Sequence, residues 1–173
     1  MFKPATLKNA YQDNVELEID LSRKMYGRVL SPDRELSVDS AGVFSWKFSR
    51  FDRLLSQGRR QLDPATLGEL TALVEELEIA AESENFVLGE TDTCYTRLHI
   101  SGPERGAYEA ITDQSWPAKS WERNRSDFRP YQEYWSKEQV DRFYLLCVFF
   151  YRVEVVLGID ALLAQSGSDY TSG

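Results

Sequence analysis

The sequence predicts an α+β fold with an antiparallel sheet, and three observations carry that reading. Segments alternating apolar with polar residues come first and lie close together. The connections between them are short turns, which favour antiparallel neighbours. Two segments with helical spacing interrupt and then close the chain, so strands and helices come in blocks rather than in strict alternation. The 173 residues are enough for one domain with a sizeable core. Residues 1–13 and 166–173, polar and without periodicity, are expected to be loose ends.

The first strand is signalled by Val15, Leu17, Ile19 and Leu21, separated by Glu16, Glu18 and Asp20. This is the period-2 pattern of a strand with one wet face. Tyr26 to Leu30 and Glu35 to Val38 are shorter candidates on either side of the turn residues Ser31-Pro32-Asp33. After a second turn at Asp39 to Gly42, Val43 to Phe51 alternates again, with Phe44, Trp46 and Phe48 facing away from Ser45, Lys47 and Ser49. Together these predict an N-terminal meander. Arg50 to Gln61 reads as a polar connection.

Asp63-Pro64 then opens a helix. The aspartate can accept from free backbone N–H groups, and proline at the first helical position loses no hydrogen bond. Leu67, Leu70, Leu73, Val74, Leu77 and Ala81 fall on one arc, with Glu69, Glu75, Glu76, Glu78 and Glu82 opposite, so the expected helix is about 64–83. Cys94 to Ser101 is a strand with Cys94, Thr96, Leu98 and Ile100 on one face and Tyr95, Arg97 and His99 on the other. Gly102 to Gly106 turns it into a hairpin with Ala107 to Thr112. Residues 113–135 form a long aromatic loop. Ser136-Lys-Glu-Gln139 matches a capping box and opens a buried helix at about 137–157, although its β-branched residues also suit a strand over Val148 to Leu157. Gly158 interrupts it before Ile159 to Ala164.

A formal charge of −8 disfavours direct binding to nucleic acid or anionic lipid. The N-terminus has no apolar core of the signal-peptide type, and Phe143 to Tyr151 is too short an apolar run to span a bilayer. A cytoplasmic protein without membrane segments is the expectation. Cys94 and Cys147 both sit among apolar neighbours and read as buried thiols.

The charge is unevenly spread. Between Gln61 and Thr96 lie nine carboxylates and no lysine or arginine. Glu75, Glu78 and Glu82 would form one helical ridge, and like charges at that spacing repel. Three readings stay open: a solvated face, neutralisation by Arg50, Arg53, Arg59 and Arg60 just upstream, or a surface for a basic protein partner. The second feature is the loop 116–135, where Arg123 and Arg125 interleave with Trp121 and Tyr131. From Trp116 to Arg142 six bases face five acids, so this is no nucleic-acid footprint. These aromatics can equally serve to anchor the loop to the core.

No G-x-S-x-G elbow, P-loop or G-x-G-x-x-G fingerprint is present. His99, the one histidine, lies five residues from Cys94 and therefore on the opposite strand face, which disfavours a Cys–His pair. One histidine and two distant cysteines do not make a usual zinc site. No catalytic residue, metal or cofactor is assigned. The leading expectation is a non-enzymatic acidic binding module, of inhibitor, immunity or adaptor type, acting through Glu75, Glu78, Glu82, Trp121, Arg123, Arg125 and Tyr131. The alternatives are an enzyme or small-ligand binder with a pocket between the sheet and the aromatic loop, using Arg97, His99, Trp121 and Arg123, and a homodimer that buries Phe143 to Leu157.

Overall fold

A computed structural model describes residues 16–26, 31–89, 94–103, 105–114 and 131–166. Within them the chain runs β1 (Glu18–Met25), β2 (Asp33–Val38), β3 (Val43–Arg50), β4 (Arg53–Gln61), α1 (Pro64–Glu76), β5 (Ser83–Phe86), β6 (Cys94–Ser101), β7 (Tyr108–Thr112), α2 (Lys137–Val156) and α3 (Ile159–Gln165). The strands form one sheet in the order β4-β3-β2-β1-β6-β7-β5. Neighbours are antiparallel except β5, which runs parallel to β7. The expected α+β class, N-terminal meander and β6–β7 hairpin are all present.

Alternation in the sequence becomes two distinct faces. Cross-strand pairing sets Trp46, Leu36, Leu21, Leu98 and Ala110 in one row and Phe44, Val38, Ile19, Ile100 and Tyr108 in the next. These rows pack on Leu70, Leu73 and Val74 of α1 and on Phe143, Leu146, Phe150 and Val153 of α2 in a single core. The row between them carries Ser45, Ser37, Asp20, His99 and Glu109, and the row beyond Trp46 carries Lys47, Glu35, Ser22, Arg97 and Ile111, both on the other face. A one-residue slip would exchange the two sets, so the apolar rows fix the register.

Both long helices start as expected. Asp63 Oδ1 accepts from the N–H of Thr66 at 2.9 Å, and these bonds hold its carboxyl below the usual carboxylate range. Ser136 and Gln139 complete a reciprocal capping box. Val148 to Val156 is helical, not extended, because the apolar side of this segment is buried by the sheet. Gly158, at φ 66, turns the chain into α3 through a conformation that a side chain would strain. No helix among the described residues is long and apolar enough to cross a membrane.

Two differences from expectation place a strand at each edge of the sheet. Arg50 to Gln61 is not a connection, since β4 occupies most of it. The segment has few apolar residues because it is an edge strand, with a register shift opposite Phe48/Ser49 breaking its alternation. Helix α1 ends at Glu76 rather than near Ser83, and Ser83–Phe86 is the opposite edge strand. The strand expected over Tyr26 to Leu30 falls on residues 27–30, which lie outside the described set. Short or edge strands bury too little for periodicity to reveal them.

Two glycines report opposite environments. A Cβ on Gly58 would meet Cζ2 of Trp46 at 2.4 Å, whereas one on Gly68, on the outside of α1, would meet nothing within 4 Å. Urea unfolding should show Gly58→Ala losing about 1–3 kcal/mol through the clash with Trp46. Gly68→Ala should gain about 0.5–1 kcal/mol through helix propensity and a less free unfolded chain. Equal effects at the two sites would contradict this packing.

Candidate functional site

The carboxylate-only stretch folds into three consecutive pieces. Glu75 and Glu76 sit in the last turn of α1, Glu78 takes a left-handed conformation just beyond it (φ 48), and Glu82 precedes β5. Glu75, Glu78 and Glu82 are all exposed. The expected helical ridge is therefore an exposed acidic corner, where the chain leaves the helix and heads for the sheet edge. Carboxylates at a helix C-terminus face the negative end of its dipole, so this placement works against the fold.

What holds the corner is Arg142 of α2. Its Nη1 donates to the backbone oxygens of Leu77 at 2.7 Å and Glu78 at 3.3 Å, supplying the cation that the last turn of α1 lacks. Its Nε and Nη2 each donate to Glu84 at 2.9 Å in a two-pronged pair. The hydroxyl of Tyr108, a buried residue of β7, donates to the same carboxylate. Burial alone would raise the Glu84 carboxyl, but the hydrogen bonds from Arg142 and Tyr108 and the charge of Arg142 outweigh it and leave it low. Burial and the Glu84 carboxylate together push the Tyr108 hydroxyl well up. This cluster is structural in its geometry: every member points at another member or at a backbone end.

The upstream arginines go elsewhere. Arg60 donates from Nη2 to the oxygen of Leu157 at 2.9 Å, capping α2, with its guanidinium 5.5 Å from the centre of the Phe44 ring. Arg59 is in register with Ser45 and shares its side of the sheet, away from the helices. The Arg50 guanidinium lies 5.7 Å from the Phe51 ring, and Arg53 is exposed opposite Arg50 at the end of the β3–β4 hairpin. On α1, Glu76 pairs with Arg152 of α2. Among the described residues, Glu75, Glu78 and Glu82 have no basic partner.

Of the aromatic-loop residues, Trp121, Arg123 and Arg125 lie outside the described set. Tyr131 stacks on Trp135 (ring centres 5.1 Å apart, 15° between planes) and meets Phe143 edge-on at 5.2 Å. Trp135 in turn packs on Phe86 of β5. Tyr131 is thus one of four aromatic residues that close the β5 end of the core.

Arg97 and His99 stand on the sheet face away from the helices, which no described element covers, beside Asp20 and Ser22. A shallow depression of about 390 Å³ lies there, lined by Asp20, Ser22, Ser37, Ser45, Lys47 and His99 among others. Lys47 pairs with Glu35 and Arg97 with Glu109, both at 3.1 Å. Cys94 and Cys147 are buried on the other face, and burial raises both thiols. A raised thiol is a poor nucleophile. Among the described residues no group of three His, Cys, Asp or Glu side chains is placed to hold a metal ion.

The sequence matches no protein-family model and no curated protein. The site therefore has to be argued from its own chemistry. Sequence reasoning missed Glu84 and Arg142. The signal available was a guanidinium at the start of the apolar run Phe143 to Tyr151, where it borders the most buried part of the helix and needs a partner there.

Breaking the Arg142–Glu84 pair should be costly, because each side chain is mostly buried (21% and 15% exposed). Arg142→Ala should lose about 2–3 kcal/mol in urea unfolding, somewhat less than a fully buried pair. Glu84 has a folded value below its ordinary 4.5. Its contribution is therefore complete above that ordinary value and is lost as pH falls through the folded value. The stability gap between wild type and Glu84→Gln should be widest near about pH 7 and shrink towards about pH 3. A gap that is independent of pH would show that the pair does not depress Glu84.

Proposed function

We propose that this protein is an acidic binding module that works by associating with a basic protein partner, through the corner formed by Glu75, Glu78 and Glu82. The observation that carries the reading is where the nearby cations go. Arg142 is spent on backbone oxygens and Glu84, Arg60 on Leu157 and Phe44, and Arg59 on the far sheet face. The three exposed carboxylates are left for solvent or a partner, at a helix end where they oppose the dipole. A net charge of −8 adds long-range attraction for a basic surface and steers encounter more than it adds affinity. Inhibitors and immunity proteins that block basic clefts rely on the same physics.

The test is affinity capture with the full chain and with Glu75→Gln/Glu78→Gln/Glu82→Gln, each at low and high salt. The triple variant should keep or gain stability, since the carboxylates make no described ion pair. It should lose a basic partner that wild type retains, and it should lose the salt dependence of that capture. A partner held equally by both proteins removes the corner from the interface.

A second reading is favoured by one observation, the depression on the sheet face away from the helices, which is lined by Leu21, Leu36 and Trp46 together with polar groups. Its volume falls within the range of small-ligand sites, and Arg97 and His99 border it. A ligand seated there should raise the melting temperature of wild type in a metabolite screen and leave His99→Ala/Asp20→Asn unmoved. A screen with no shift argues against it.

A further inference from the structure

The two edges of the sheet differ in kind. β5 is a four-residue strand, and the chain beyond it is pinned by Asp113, which accepts from the N–H groups of Leu88 and Gly89. β4 is nine residues long, and among the described residues no strand pairs with its outer side. Long exposed edges are ready templates for another strand unless something blocks them.

The hydrogen-bond phase shows which groups face outwards. Leu62 donates its N–H to Gly42, while both the N–H and the C=O of Val43 bond to Asp39 on the β2 side. The Val43–Gln61 pair is therefore a non-hydrogen-bonded one, and the phase repeats every second residue. Gln57, Arg59 and Gln61 consequently turn their N–H and C=O groups away from β3, towards the free edge. Their side chains lie on the open face, with Arg59 exposed. On the helical side, Gly58 has no side chain to separate the edge from the Trp46 ring beneath it. At the hairpin end, Leu54 and Phe51 are 47% and 78% exposed.

We propose that β4 is a docking edge that takes an extended, carboxylate-bearing peptide segment of a partner protein as an eighth strand. Backbone groups of Gln57, Arg59 and Gln61 supply the ladder. Arg59, on the face shared with Ser45, selects acidic side chains, and the Trp46 surface beside Gly58, on the opposite face, takes an apolar one. Charge argues against a second copy of the chain as occupant. It would bring two arginine-bearing strands together and join two molecules of charge −8. The edge is separate from the acidic corner, so neither proposal depends on the other.

Fluorescence polarisation with the full chain tests it, using peptides of about ten residues that alternate valine with glutamate or valine with lysine. Wild type should bind the glutamate peptide at least about tenfold more tightly than the lysine peptide, with affinity falling as salt rises. Arg59→Pro removes an N–H that no bond among the described residues uses, so the protein should stay folded by circular dichroism. Its affinity for the glutamate peptide should fall about tenfold or more. Gln57→Pro, in the same phase, serves if Arg59→Pro does not fold. Arg59→Gln should weaken binding and its salt dependence without abolishing it. The proposal is overturned if wild type binds neither peptide, if both bind equally, or if the folded proline variant binds like wild type. Concentration-dependent dimerisation of wild type that Arg59→Pro abolishes would also overturn it, because a second copy would then be the occupant.

Discussion

The Arg142 guanidinium is the interaction on which the arrangement of this molecule most depends. It sits on α2, closes the C-terminus of α1 through Leu77 and Glu78, and grips Glu84 on the edge strand β5. Through Glu84 it also reaches Tyr108 on β7. One side chain thus joins both long helices to the β5–β7 end of the sheet. Its donors are matched by acceptors that would otherwise be half-buried and unsatisfied, a cost larger than the net gain of the bonds themselves. Arg60 repeats the device at the other edge by capping α2 at Leu157. Neither α1 nor α2 carries a basic residue in its own last turn, so each borrows its cap from a distant segment.

This borrowing shapes the surface. Because the capping cations are committed to backbone oxygens, the glutamates around the end of α1 are not neutralised by them. The acidic corner and the arginine-bearing edge of β4 end up as separate regions of opposite charge. A chain of net charge −8 would be expected to repel most anionic partners. Locally, though, β4 presents Arg53 and Arg59, and local charge decides contact once molecules are within a Debye length. The fold therefore presents two exposed charged regions of different chemistry, while the helical face of the sheet is taken up by the core. The apolar side of α2 is used there: Phe143, Leu146, Phe149 and Phe150 are buried within the chain.

Legibility followed burial. β1, β3 and β6 each place several apolar residues in the core and leave polar ones on the open face, so period 2 revealed them. The starts of α1 and α2 were legible because Asp63-Pro64 and Ser136-Lys-Glu-Gln139 satisfy backbone donors locally. β4 escaped notice because an edge strand with Gly58 under Trp46 needs little apolar content of its own. The end of α1 escaped because its leucine spacing continues to Leu77, and nothing local stops it before Ser83. The chain leaves the helix at Glu78, in a left-handed conformation, and the carbonyls there are met by Arg142, sixty-odd residues away.

The nine-carboxylate stretch between Gln61 and Thr96 shows the same division. Sequence alone determined its charge, its helical start and the apolar stripe that anchors it, because these depend on near neighbours. Tertiary structure decided the rest: that the helix stops at Glu76, that Glu78 and Glu82 stand on a corner rather than a ridge, and that Arg59 and Arg60 turn elsewhere. Those outcomes depend on which distant groups need a partner, and buried carbonyls and carboxylates claim a guanidinium ahead of solvated glutamates.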